Sequence, residues 1–387
     1  MEAYLDNAAT TPVFPEVRDI MVKVLEEDFG NPSSKHTKGI AAEQYIKDAR
    51  DIIAGNLKCQ PKEIIFTSGG TESNNMAFIG TAIANRRAGK HIITTGIEHA
   101  SVHEPLAYLE EMGYEVTYLP VDAAGRVPVE EVEAALREDT FLVSVMYVNN
   151  EIGSVEPIKE IGEMLHRKNP RILFHVDAIQ AFGKYKIIPK KMGIDMMSVS
   201  GHKIHGPKGT GFLYVRDGVK IRPILFGGGQ QKGMRSGTEN VPGIAGLGLA
   251  VKLIYKEHTA KREQLYTWKK MLIEGLQQYE GVTINGIDGI ALEETAPHIV
   301  NVSFASIKSE VMLHALAEKG VYVSSGSACS SNHPELSGTL QAIGVKKDLL
   351  DSTLRFSFSV MTTTEQIRYA VEAVGELLPV LRRFVRQ

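Results

Sequence analysis

Between residues 40 and 215 the chain alternates two hydrophobic periods, and no other feature narrows its fold so far. Ala42, Ile46, Ala49, Ile53 and Leu57 recur every three or four residues, the spacing of one helix face. Short runs rich in β-branched and aromatic residues follow: Glu63-Ile-Ile-Phe, His91-Ile-Ile-Thr-Thr, Glu115-Val-Thr-Tyr-Leu, Phe141 to Val148 and Ile172 to Val176. Helical stretches such as Ile158 to Lys168 separate most of them. Strands alternating with helices predict an α/β fold, with a mostly parallel sheet covered on both faces. Residues 240 to 280 read as one long helix or two. The tail offers strands at Ile299 to Phe304 and Leu354 to Phe358, and helices at Ser309 to Lys319 and from Thr364 onward. That is a smaller α+β module.

Composition excludes several classes. The net charge is -3 over 387 residues, which gives no basic surface for nucleic acid or anionic lipid. No apolar run approaches the roughly 20 residues of a spanning helix. The opening Met-Glu-Ala-Tyr-Leu-Asp-Asn carries acids and no apolar stretch, so no signal peptide is expected. Two cysteines, Cys59 and Cys329, make neither a disulfide framework nor a Cys-rich metal site. A reducing cytoplasm and no metal are the expectations.

Within the predicted sheet, Lys203 occupies Ser198-Val-Ser-Gly-His-Lys-Ile-His-Gly-Pro-Lys-Gly. The apolar segments Asp195 to Val199 and Gly211 to Val215 flank it, so it sits on a tight strand-loop-strand element. An amine held there can lose its proton and attack a carbonyl; a solvated turn lysine is the plainer alternative. Phe66-Thr-Ser-Gly-Gly-Thr-Glu-Ser-Asn-Asn follows a strand and opens a helix. Its free N–H groups suit a phosphate, or it is an ordinary capped helix. The run lacks the lysine of a nucleoside-triphosphate loop. Asp177 ends an apolar strand, where a carboxylate needs a partner: a protonated ring nitrogen, or a helix N-terminus. His99, in Gly96-Ile-Glu-His-Ala-Ser, stacks on a flat ring or serves as a structural hydrogen-bond partner. Asn149-Asn-Glu-Ile-Gly follows another strand, where asparagine orients a ligand or forms a turn. All lie at strand ends of one sheet, and together they make a kit for one cofactor, pyridoxal phosphate.

The order of Ser-Gly-Gly-Thr-Glu, Glu-His, Asn-Asn-Glu-Ile-Gly, Asp-Ala-Ile-Gln and Gly-His-Lys-Ile-His-Gly-Pro-Lys-Gly resembles the cysteine desulfurases of the NifS/IscS type. The likeness runs from Tyr4-Leu-Asp-Asn-Ala-Ala-Thr-Thr through Gly30-Asn-Pro-Ser-Ser-Lys-His and Arg235-Ser-Gly-Thr-Glu-Asn to Leu354-Arg-Phe-Ser. It implies a fold-type I pyridoxal-phosphate transferase with a seven-stranded sheet. The large domain is then 15–257, and 1–14 with 258–387 form the small domain carrying the cysteine loop. Lys203 would be the Schiff-base lysine, Asp177 the partner of the pyridine nitrogen, and Gln180 that of the ring hydroxyl. His99 would stack on the ring and assist proton transfer. Gly70, Thr71, Ser200 and His202 would hold the phosphate, and Thr238 would reach that of the second subunit in a homodimer. Asn150 and Arg355 would grip the carboxylate of L-cysteine.

Val323-Ser-Ser-Gly-Ser-Ala-Cys-Ser-Ser decides the subtype. Serine and glycine surround Cys329, whereas free cysteines are usually buried hydrophobes. In the resembled family this residue is the nucleophile that becomes a persulfide. Sulfur then passes to an acceptor protein such as an iron–sulfur scaffold or a tRNA-thiolation enzyme. Downstream, Asn332-His-Pro-Glu-Leu-Ser-Gly-Thr-Leu-Gln keeps the length of the family pattern but changes its composition, with Gln341 where arginine is expected. Other readings are a selenocysteine lyase, an aminotransferase of the same fold, and a non-catalytic scaffold. An aminotransferase needs no thiol in such a loop, and a scaffold needs none of Lys203, Asp177, His99 and Cys329.

Overall fold

The computed structural model describes residues 1–325 and 336–385. In chain order it runs through β1 (Ala3–Tyr4), α1 (Pro15–Glu26), α2 (Thr37–Leu57), β2 (Ile64–Thr67), α3 (Gly70–Asn85), β3 (His91–Thr95), α4 (Ala100–Glu111), β4 (Glu115–Leu119) and α5 (Val129–Ala134). Then come β5 (Thr140–Met146), α6 (Ile158–Lys168), β6 (Leu173–Asp177), β7 (Met196–Ser200) and β8 (Gly211–Val215). The remainder comprises α7 (Val241–Tyr255), α8 (His258–Gln277), β9 (Val282–Asn285), β10 (Ile299–Phe304), α9 (Ser309–Glu318), β11 (Val321–Tyr322), β12 (Ser324–Ser325), α10 (Gly338–Ala342), α11 (Lys347–Leu350), β13 (Thr353–Ser357) and α12 (Thr364–Val385).

Seven strands form one sheet in the order β2-β8-β7-β6-β5-β3-β4. Only β8 runs against its neighbours, antiparallel to both β2 and β7. The sheet is therefore mostly parallel, as the alternating pattern predicts. Its two faces can be read from period two along single strands. Phe212 and Tyr214 of β8 enter the core formed with α1, α2, α6 and α7. Leu213 and Val215 enter the core formed with α3 and α4. Burial on both faces explains why these strands are continuous apolar runs rather than alternating ones.

A second sheet, β12-β13-β10-β9, is antiparallel. Val300, Val302, Phe304, Leu354 and Phe356 pack there against Leu265, Leu272 and Leu276 of α8 and Ile367 and Val374 of α12. The N-terminus joins this core rather than the large one, through Ala3 and Leu5 and the parallel pair β1–β11. The stretch 240–280 is two helices, broken where Glu257 adopts φ 54°. The short elements β9, α10 and α11 have no clear signature in the sequence.

The parallel part of the large sheet reverses its winding between β3 and β5. Ligands of such sheets bind beyond the carboxyl ends of the strands at that point.

Candidate active site

A cavity of about 290 Å³ opens there. Gly70, Thr71, His99, Asn150, Asp177, Gln180, Ser200, His202, Lys203 and Arg355, all named from the sequence, line it together with Ala8, Ala9, Ser101, Ser324 and Ser325. Thr238 does not; it is exposed in the loop before α7. Cys329 lies outside the described residues.

Strand ends place most of these groups. Asp177 is the last residue of β6 and is 4% exposed. Its two oxygens accept from the Ile179 N–H (3.0 Å) and the Asn74 amide (2.9 Å). Burial pushes its carboxyl up from the ordinary range, and these donors, His99 and Lys203 oppose that shift. The remaining oxygen of Asn74, Oδ1, is buried with no partner among the described residues. His99 caps α4: its Nδ1 accepts from the Ser101 N–H at 3.0 Å.

Lys203 ends the single turn Gly201–Lys203 between β7 and β8. Its Nζ donates to the carbonyls of Ala8 (2.6 Å) and Ala9 (2.7 Å). Its own carbonyl accepts from Lys184 Nζ at 2.8 Å. Burial, then the charge of Lys203, lowers Lys184 to about 7. His202 is lowered to about 4 by burial and by Lys203, Lys208 and Lys184. It is therefore a neutral ring near pH 7, able to donate one hydrogen bond.

At the other end, α3 begins directly after β2. Its N-cap Gly69 brings no side-chain cap, so the first-turn N–H groups are left for a ligand. A Cβ on Gly70 would meet the end of the Ile179 side chain, so a bare backbone keeps that approach clear without displacing Ile179. The Ser200 Cβ lies 3.8 Å from where a Cβ on Gly70 would stand, and His202 lines the same cavity. An uncapped helix start, a carboxylate buried at a strand end and a lysine between them fit a flat aromatic aldehyde carrying a phosphate.

The small sheet adds Arg355 on β13. Its Nη1 donates to the Asn150 carbonyl (2.7 Å) and its Nη2 to Asp6 (3.0 Å). The residue is 7% exposed, and its Nε has no partner among the described residues. Burial raises Asp6, against the pull of Arg355 and Lys203. Gln180 is fixed between the Ala8 carbonyl (2.9 Å) and His298 (3.3 Å).

Several contributors are not legible as site residues from sequence. Ala8 and Ala9 act through carbonyls, which no residue type announces. Asn74 and Ser101 lie inside quoted motifs but act on other site residues. Lys184 and His298 reach the site from behind the lining.

Comparison with known proteins places the arrangement. The model for aminotransferase class-V matches residues 3–369. The chain is 47% identical to a cysteine desulfurase IscS of Methanosarcina thermophila, covering 98% of this chain and 92% of that one. It is 44% identical to a cysteine desulfurase IscS of Dictyoglomus turgidum, over 98% and 95% respectively. A solved NifS-like protein superposes with a TM-score of 0.92 at 38% identity, over 98% of this chain and all of that one.

Proposed function

The chain belongs to the cysteine desulfurases of the class-V aminotransferase family, and from that premise we propose how its residues divide the work. The protein converts L-cysteine to L-alanine with pyridoxal phosphate, and the sulfur is received by Cys329. The observation that carries this reading is the single cavity in which Lys203, Asp177, His99 and Arg355 meet.

When bound, the cofactor supplies an aldehyde for an amine to bond and a ring that draws electron density away from the substrate Cα. Lys203 is the amine for that aldehyde. Its Nζ would also take up the substrate Cα proton and return it to Cα in alanine. Asp177 accepts the N–H of the ring nitrogen, which explains a carboxylate buried at 4% exposure. Gln180 and His99 bind the ring by its hydroxyl and its face. The first turn of α3 at Gly70 and Thr71, with Ser200 and His202, binds the phosphate. Arg355 would receive the substrate carboxylate: its guanidinium lines the cavity with its Nε unpartnered among the described residues, and Asn150 stands beside it. The thiolate of Cys329 attacks the substrate sulfur. An S–S bond forms as the Cβ–S bond breaks, and Cβ gains a proton in alanine. The resulting persulfide passes its outer sulfur to an acceptor protein.

The division at 15–257 belongs to the same proposal, supported by the separate cores of the two sheets. So does a homodimer, in which Thr238 serves the neighbouring site; its distance from the cavity of its own chain supports that role. No helix among the described residues is long and apolar enough to cross a membrane.

The two thiols test the reading. Cys59 packs partly against the large core, and burial pushes it up to about 12, so it stays protonated and inert. Cys329→Ser is expected to retain cofactor and bind cysteine yet release no sulfide. Cys59→Ser is expected to match the parent. Full sulfide release by Cys329→Ser would overturn the persulfide step in favour of a lyase that eliminates directly.

A further inference from the structure

Asp177 and His99 are joined by a continuous chain of hydrogen bonds behind the cavity wall. Asn74 Nδ2 donates to Asp177 Oδ2 and to Ser101 Oγ, both at 2.9 Å. Ser101 Oγ in turn lies 2.9 Å from His99 Nδ1. Asn74 is fully buried and Ser101 is 7% exposed, so water has little access to substitute for either.

The polarity of this chain is fixed by chemistry. A carboxylate only accepts, so the amide of Asn74 must turn its NH₂ toward Asp177. The second N–H of that group then meets a lone pair of Ser101 Oγ. The serine hydroxyl, having accepted there, is left to donate to His99 Nδ1. The main-chain N–H of Ser101 donates to the same nitrogen at 3.0 Å. Two donors on Nδ1 require it to be the unprotonated nitrogen, which leaves the ring proton on Nε2. Reversing the amide would set Oδ1 against the carboxylate and break the sequence of donors at its first link.

We propose that Asn74 and Ser101 are positioning residues that tie His99 to Asp177 and hold its ring as the Nε2–H tautomer. The proposal rests on the functional reading above, in which Asp177 and His99 both bind the cofactor ring. It adds that their orientations are coupled through one amide and one hydroxyl. A ring in this tautomer enters the cavity as a hydrogen-bond donor, its acceptor nitrogen being turned into the first turn of α4.

Nitrogen-15 spectroscopy of histidine-labelled holoenzyme at pH 8 tests this directly. The parent is expected to show His99 with an unprotonated Nδ1 and a protonated Nε2. Ser101→Ala keeps the main-chain donor but loses the hydroxyl, and is expected to show both tautomers. Its kcat should fall about tenfold, less than the roughly 10²–10⁴-fold that a proton-transfer group contributes in full, because the ring stays in place and loses only its single tautomer, with KM within about twofold of the parent. Ser101→Thr restores a hydroxyl and should recover both readouts. Ser101→Ala with the parent's single tautomer would overturn the proposal. A changed tautomer with parental kcat would keep the positioning role and overturn the catalytic reading of His99 instead, so the two failures are distinguishable.

Discussion

The seven-stranded sheet and the four-stranded sheet each supply a wall of the cavity, and they do so by different means. On the large sheet, side chains sit at the ends of long, doubly buried strands and are fastened by short polar contacts. Asp177 is held by two donors, Lys203 by two carbonyls, and His99 by its own helix N-terminus. On the small sheet the wall is a two-residue strand, Ser324–Ser325, beside β13. Arg355 of β13 reaches across from it to the Asn150 carbonyl and to Asp6. Preorganisation on one side suits a permanently bound ring. On the other, a guanidinium that uses two of its five N–H donors on the described residues suits a carboxylate that comes and goes. On the proposed reading, the unlike walls divide the work: cofactor retention falls to the first sheet and substrate affinity to the second.

The sharpest way to break that comparison is Lys203→Ala. It should reduce turnover by more than about 10³-fold, in the upper part of the range for acid–base groups, because the same amine bonds the aldehyde and carries the proton. Sulfide release and borohydride trapping measure it; a trapped bond at another lysine would remove Lys203 from the role. Arg355→Lys probes the opposite wall. An ammonium cannot reproduce the fork that grips a carboxylate, so KM for cysteine should rise about 100-fold, roughly 2.7 kcal/mol of lost binding. Cofactor absorbance should be unchanged; loss of cofactor with KM intact would reverse the assignment of the two walls.

A smaller effect is expected at the seam. Lys269 of α8 is 1% exposed and donates to Thr295 Oγ1 (2.5 Å) and the Ala296 carbonyl (2.7 Å). The adjacent main-chain N–H of Ala296 bonds Gly153 of the large-sheet segment. Burial lowers Lys269 to about 7. Between there and the ordinary lysine range near 10.5 the unfolded chain binds a proton that the folded chain does not. Stability therefore rises with pH across that window, by up to about 1.4 kcal/mol for each pH unit. Lys269→Met lacks this term. Denaturant titrations at pH 7.5 and 9.5 should show the parent gaining on the variant as pH rises. Equal gains would mean Lys269 stays charged in the fold. Activity relative to bound cofactor should differ little, since Lys269 does not line the cavity.

Much of the fold was legible because burial on both faces leaves long apolar runs. His91–Thr95, Glu115–Leu119, Gly211–Val215, Ile158–Lys168 and Ile299–Phe304 begin and end where the periodicity places them. The break at Glu257 was not legible: a left-handed residue between two good helical patterns leaves no mark in hydrophobic spacing. The short strands β9 and β12 were missed because two to four residues carry too little period to register. Within the site, residues whose side chains meet the ligand could be named from type and position. Those acting on other residues could not.

The sequence by itself determined the layered α/β architecture, the strand ends where chemistry would gather, and the residue types suited to it: a lysine in a tight turn, an aspartate closing an apolar strand, glycines opening a helix. Those follow from local rules, since period, chain reversal and the cost of burying charge are all set by near neighbours. Only the tertiary structure decided that the first ten residues return to grip Lys203, that Arg355 faces Asp6 and Asn150, and that Asn74 and Ser101 link Asp177 to His99. Apart from the short step from Ser101 to His99, these contacts join residues between 27 and 349 positions apart. They depend on how two sheets and an N-terminal segment pack together, and no local pattern along a chain encodes a separation in space.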